Sequence, residues 1–250
     1  TIKSQTPDVV ALQEAMPFLY NGVQQHDDIA KLLGENYALT NTTSSSGTKL
    51  AYNKSRLSLQ RSGVKALNSY GSTSRYATWA IFKDKESKKE FFVINTHLEP
   101  GAQVVEFNAW RVSQAEEILG LIRQNAGQLP VVVAGDMNSS RSASPENGQY
   151  RIFTGAGYID PLDNATMGWD SGRNAASEHL FGEEYNSANN LAASPRRTAY
   201  PVGTVIDYIY TSCEIRVGTW RTVVKVDATG KFAGTIPSDH NMLAVNLNLN

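Results

Sequence analysis

The sequence predicts an α/β (α+β) domain of two packed sheets flanked by helices, and three observations predict it. Short apolar or alternating runs bounded by turn residues recur along all 250 residues, which reads as many short strands. One longer stretch between two of these runs carries apolar residues at helical spacing. The run Val131-Val132-Val133-Ala134 has no polar alternation, as befits a strand buried on both faces that helices and a second sheet must cover.

Taken from the N-terminus, strands are expected at residues 8–12, 49–52, 77–82, 90–95, 131–134, 205–211, 215–226 and 242–249. The last of these alternates apolar and polar residues from Leu243 onward, as a half-exposed strand does. A helix is expected over 104–122, where Val104, Phe107, Ala115, Ile118, Leu119 and Ile122 form the stripe and Leu129-Pro130 closes the connection. A second helix is expected over 24–33. Loop signals are strongest at 40–48, 68–74, 139–148 and 164–197, and the last is long enough to be functional or partly mobile. No repeat or charge block divides the chain, so 1–250 reads as one domain.

Composition narrows the function classes. With 41% apolar and 19% charged residues the chain can bury a substantial core, and disorder, collagen and coiled coil are excluded. No run of eighteen apolar residues exists to span a membrane. Lys plus Arg number 23 against 24 Asp plus Glu, a net charge of -1, which argues against binding nucleic acid by bulk charge. The lone Cys213 supports neither an internal disulfide nor a thiolate metal cluster and reads as a small apolar residue in a strand. The chain opens on Thr1 without a basic-then-apolar leader, pointing to a removed signal segment or a trimmed chain. Abundant Ser, Thr and Asn lean towards a secreted or extracellular protein.

Five segments place acidic, amide or imidazole groups near expected strand ends: residues 9–14, 93–98, 132–138, 205–209 and 237–241. Sheets deliver such side chains from distant positions to one rim. Singly each has an ordinary reading: Glu14 as a solvated residue, His97 as a structural histidine, Asp136 and Asn138 as turn formers after Gly135. Asp207 differs, because a carboxylate between Ile206 and Tyr208 in a strand must be paired. Together they form the inventory for hydrolysing a phosphate ester with a hard divalent cation. Mg²⁺ takes oxygen ligands and keeps several waters, so Glu14 and Asp239 suffice to hold it, with Mn²⁺ or Ca²⁺ as alternatives. Asp207 with His240 forms a dyad that prepares water, while His97 and the Asn138 amide can donate to phosphate oxygens. Zinc is disfavoured, because no pair among His26, His97, His179 and His240 has metalloprotease spacing. No phosphate-binding Gly-rich loop ending in Lys-Ser or Lys-Thr and no Gly-x-Ser-x-Gly elbow occurs.

Five ordered motifs resemble the endonuclease/exonuclease/phosphatase (DNase I-like) superfamily: PDVVALQE ending at Glu14, NTHL around His97, GDMN at 135–138, IDYI around Asp207 and SDH ending at His240. The resemblance implies a four-layer α/β/β/α sandwich with its active site at one rim of the sheets. It implies that Glu14 binds metal with Asp239 beside it, and that Asp207 orients the catalytic His240. It further implies that Asp136 and Asn138 position nucleophile and phosphate, and that His97 contacts the scissile phosphate. Either His240 or Asp136 takes the proton from water. Members of the family normally carry an earlier strand with an asparagine, whereas Glu14 lies only thirteen residues from Thr1, so the usual first strand is expected to be lacking. Some members also brace the first histidine with a glutamate after an arginine, where Arg75 here precedes Tyr76.

For substrate contacts, Arg75, Tyr76, Trp79, Trp110, Arg111, Trp169, Arg173, Arg196 and Arg197 supply cations and rings; Trp79 and Trp110 read as core, and Arg196-Arg197 as the better contact pair. The expected activity is Mg²⁺-dependent phosphodiester hydrolysis of nucleic acid, DNA first. The alternatives are a phosphatase or sphingomyelinase-type phosphodiesterase with the same centre, or a non-catalytic binding module. No protein partner is implied. The Asn138-Ser139-Ser140 sequon inside the proposed site favours a bacterial source, where it would escape glycosylation.

Overall fold

The structure, a computed structural model, describes residues 1–19, 22–40, 47–71, 74–101, 105–140, 147–162, 179–197 and 204–249. Val104, Trp169, Arg173 and much of the long 164–197 loop lie outside these. In chain order the elements are α1 (Ile2–Gln5), β1 (Val9–Leu12), α2 (Gln25–Leu33), β2 (Tyr37–Leu39), β3 (Lys49–Asn53), β4 (Leu57–Leu67), β5 (Arg75–Asp84) and β6 (Glu90–His97). They continue as α3 (Val105–Asn125), β7 (Val131–Asp136), α4 (Gly148–Gly155), β8 (His179–Phe181), β9 (Asp207–Thr211), β10 (Ile215–Val223) and β11 (Met242–Leu249).

These elements stack as four layers. A five-stranded mixed sheet in the order β4-β5-β6-β7-β9 forms one inner layer, with β6 and β7 parallel and the other neighbours antiparallel. The opposing inner layer is divided between two three-stranded sheets, β1-β3-β2 and β11-β10-β8. Between the layers lie Leu50, Phe82, Phe91, Val93, Val132 and Ile215, with Val9, Ala11, Leu247 and Leu249 packed against them. Outside the large sheet, Ile118, Leu121 and Ile122 of α3 and Phe153 of α4 pack on Ile94, Val133, Tyr208 and Tyr210. On the other side Leu33 and Ile29 of α2 cover Val10 and Ala51. The continuous apolar runs of β6 and β7 are buried because both of their faces are covered.

Several elements depart from the sequence expectation. The unforeseen β4 is an end strand of the large sheet, so its Gln60, Arg61 and Ser62 remain exposed and break the alternation that betrays a strand. Short β2 and β8, α1 and α4 were equally unforeseen; α4 begins at Asn147, whose side chain accepts from the Tyr150 N–H inside what reads as loop. The α3 stripe buries Arg111 and Gln114 as well as Ala115, Ile118 and Ile122, because both polar groups bind the turn that follows β6. Cys213 is corrected: it is exposed in the turn between β9 and β10 rather than within a strand. Arg197 is exposed, and its guanidinium lies over the Tyr185 ring at 4.9 Å and donates to the Tyr185 hydroxyl at 2.7 Å.

One glycine has a definite steric role. Gly135 has φ 150°, and a Cβ there would sit 2.1 Å from the Thr96 carbonyl oxygen, so only glycine lets β7 approach β6 this closely just before Asp136.

Candidate active site

Strand register assembles the centre. His97 pairs with Asp136 across β6 and β7, and Asp136 pairs with Asp207 across β7 and β9, so three functional side chains stand in one row over three adjacent strands. His240, in the turn preceding β11, closes on the row: its Nδ1 is 2.8 Å from Asp207 Oδ2 and its Nε2 is 3.9 Å from Asp136 Oδ2. His97 Nε2 approaches the same Asp136 oxygen from the other side at 3.5 Å. The dyad expected between Asp207 and His240 is therefore formed, with Asp136 between two imidazoles.

The other expected residues border this group. Glu14 is exposed at the end of β1 and raises the Asp136 pKa through its charge, while Asp239 is exposed and acts likewise on His240. Both ends of the chain thus reach one cluster. Glu14 has φ 57°, a left-handed conformation unusual for a glutamate and typical of functional strain. Its placement follows from an amide clamp between layers: Gln13 donates to the buried Asn95 at 2.7 Å, and Asn95 donates to the Leu12 and Lys49 carbonyls, both at 2.8 Å. Asn138 shapes the turn after β7. Its backbone N–H donates to Asp136 Oδ1 at 2.8 Å and its side-chain amide to the Leu98 carbonyl at 2.9 Å.

The electrostatics separate the titratable groups. Burial, then the Arg75 and His240 charges, push His97 down to about 3, so it is neutral at pH 7. Burial alone would also depress His240, but the hydrogen bond and charge of Asp207, aided by Asp136 and Asp239, raise it to about 9. Asp136 is pushed up to about 7, first by burial and then by the Asp207 charge, with Glu14 adding to it. Carboxylates so crowded that one resists ionisation form the setting a divalent cation relieves, and their hard oxygens suit Mg²⁺. Ligand atoms of Asp136, Asp207 and His240 lie within 4.8 Å of one another. With His240 protonated and bonded to Asp207, the donors left for a hard cation are carboxylate oxygens, those of Asp136 and of Glu14 and Asp239 around it.

No family model and no curated protein matches the sequence. Among solved structures, an endonuclease/exonuclease/phosphatase from Bacteroides vulgatus superposes with TM-score 0.74 at 22% identity, covering 100% of this chain and 87% of that one. A mannosyl-6-phosphatase from Bacteroides thetaiotaomicron gives TM-score 0.73 at 17% identity, covering 99% and 87%. The TDP2 of D. rerio, complexed with a single-strand DNA product, gives 0.67 at 17% identity, covering 99% and 88%. This chain has the endonuclease/exonuclease/phosphatase fold. Within that fold, the row His97, Asp136, Asp207 occupies the ends of three neighbouring strands of the large sheet.

Sequence reasoning missed the scaffold that holds the two halves of the dyad together. Buried Ser187 accepts through Oγ from the Ile206 and Asp207 N–H groups at 2.9 and 3.1 Å, and its carbonyl accepts from the Asn241 N–H at 2.6 Å. Ala188 bridges His240, and the Asn189 N–H donates to the Asp239 carbonyl at 2.7 Å. One segment thereby fixes β9 and the 238–241 turn in register. Its Ser and Asn residues look like ordinary loop in the sequence, because the groups their side chains bind lie far away along the chain. Arg75 was named only as a general contact group. It begins β5 beside His97 and makes a long 3.9 Å approach to Glu99.

Proposed function

We propose that the protein is a divalent-metal-dependent phosphoester hydrolase, and that its substrate is a phosphodiester of nucleic acid, DNA first. The observation that carries this reading is the buried Asp136 flanked by one neutral and one cationic imidazole, with Asp207 holding the cation. Glu14 and Asp239, at the border of the cluster, are the residues that would hold Mg²⁺. When bound, such an ion neutralises charge on the phosphoryl and leaving oxygens.

The chain's own groups then divide the proton work. Asp136, with a carboxyl near pKa 7, is poised as the base that accepts the proton of the attacking water. His240 stays protonated through neutral pH and donates a charge-assisted hydrogen bond to a phosphoryl oxygen, where negative charge grows. His97 stays neutral, which lets it donate to phosphate without adding a second buried cation next to His240. Arg75 beside it supplies a fixed positive charge. A few placed cations of this kind suit a phosphate backbone even at a net charge of -1.

A phosphomonoesterase built on the same centre is the rival, and the likeness to a mannosyl-6-phosphatase favours it. Among the described residues no helix is long and apolar enough to cross a membrane. The deciding experiment is a substrate panel with Mg²⁺, comparing plasmid DNA, RNA, sphingomyelin, inositol phosphates and a hexose 6-phosphate, each repeated with a chelator. DNA cleavage abolished by the chelator is the expected result. Turnover confined to monoesters would transfer the protein to the phosphatase class, and turnover untouched by the chelator would remove the metal.

A further inference from the structure

A half-open aromatic platform is joined through Glu99 to the strand end that carries His97. Tyr70, in the β4–β5 connection, is 45% exposed, and its ring meets Phe107 edge-on at 5.2 Å and 83° and Trp110 at 6.3 Å and 71°. The platform is built rigidly. The Tyr70 N–H donates to Glu99 Oε2 at 3.2 Å, and the neighbouring Asn68 is held to α3 through its N–H to Glu117 and its carbonyl to Gln114. Arg111, almost fully buried, donates to the carbonyls of Glu99 and Gly101 at 3.0 and 3.4 Å. Gly101, with φ 92°, lets the chain press on the Phe107 ring, where a Cβ would come within 2.4 Å.

The position of the platform links it to phosphate chemistry. Glu99, which receives the Tyr70 N–H, also faces Arg75 Nε at 3.9 Å and lies two residues beyond His97. That Arg75 nitrogen is buried and has no hydrogen-bond partner. The Arg75 cation beside His97 is thus linked through Glu99 to a cluster of rings. A partly open aromatic held next to a cation can offer a stacking face to the organic part of a phosphate ester.

We propose that Tyr70, backed by Phe107 and Trp110, stacks on a ring carried by the substrate next to its phosphate, so that the preferred esters are those of nucleosides or sugars rather than of simple alcohols. The inference rests on the phosphoester reading of the adjacent centre. Stacking of this kind is sequence-tolerant and is lost on truncation to alanine.

Calorimetric titration of the Mg²⁺-loaded protein with methyl phosphate, thymidine 5′-phosphate and mannose 6-phosphate tests it without reference to turnover. Tyr70→Ala is expected to weaken the ring-bearing esters about tenfold and leave methyl phosphate unchanged, with Tyr70→Phe retaining wild-type affinity. Loss confined to thymidine 5′-phosphate assigns the platform to bases, and loss confined to mannose 6-phosphate assigns it to sugars. Equal weakening of all three probes, or of none, overturns the stacking role while leaving the phosphate site intact. If the wild-type protein binds no phosphate ester at all, the phosphoester reading itself has failed.

Discussion

Asp207→Asn lowers turnover about 10²–10⁴-fold at pH 8 while the chain stays folded, and His240→Ala does the same. The two groups act as a unit, because Asp207 is what keeps the half-buried imidazole charged: its hydrogen bond at 2.8 Å and its charge overcome a burial penalty that alone would push His240 down. With Asn in place of Asp207 the burial penalty remains and the largest support is gone, leaving the charges of Asp136 and Asp239. The His240 pKa then falls below its parent value of about 9, so less imidazolium remains at pH 8 and more is regained towards pH 6. Steady-state kinetics from pH 6 to 9 check this, with the circular dichroism spectrum as control. The double variant is expected to be scarcely worse than either single one. Turnover left nearly unchanged by both substitutions would remove the dyad from the reaction.

Asp136→Asn is the second large effect, and it moves activity and stability in opposite directions. Turnover falls about 10²–10⁴-fold because the proton acceptor is gone. Stability rises, and only above a particular pH. The Asp136 carboxyl titrates at about 7 in the fold against 3.8 in a free chain, so the folded protein holds that proton more tightly. Stability therefore falls as pH climbs from 3.8 through 7 and stays at the lowered level beyond. An amide has no proton to lose, and it can still accept the Asn138 N–H that now binds Asp136 Oδ1. In chelator, thermal melts at pH 8 should show Asp136→Asn about 5 °C more stable than the parent, with the advantage vanishing near pH 4. A loss of stability at pH 8 would mean that the carboxylate is not strained in the fold.

How much of this was legible in the sequence depends on where each residue does its work. Strands β6 and β7 were readable because burial on both faces demands continuous apolar runs, and each run ends on its functional residue, His97 and Asp136. Likewise β11 was readable from its alternation. By contrast β4 was hidden, since a strand at the end of a sheet can expose Gln60 and Arg61 without cost. The dyad could be inferred from Asp207, whose apolar neighbours left it needing a partner. Its partner's precise approach could not, because it depends on Ser187 and the 238–241 turn being joined across more than fifty residues. Gln13 and Asn95 sat inside the recognised motifs, yet their clamp exists only once β1 and β6 face each other. The aromatic platform was divided in the sequence: Trp110 was expected in the core and is half-buried beside an exposed Tyr70.

The claim on which the account stands is that carboxylates from both ends of the chain serve one cation. Mn²⁺ binding followed by electron paramagnetic resonance, in the parent and in Glu14→Gln, Asp239→Asn and the exposed control Glu86→Gln, tests it most directly. The account predicts one Mn²⁺ per chain displaced by Mg²⁺, bound at least about tenfold more weakly in each of the first two variants and normally in the third. Unaltered Mn²⁺ affinity in both Glu14→Gln and Asp239→Asn would contradict it.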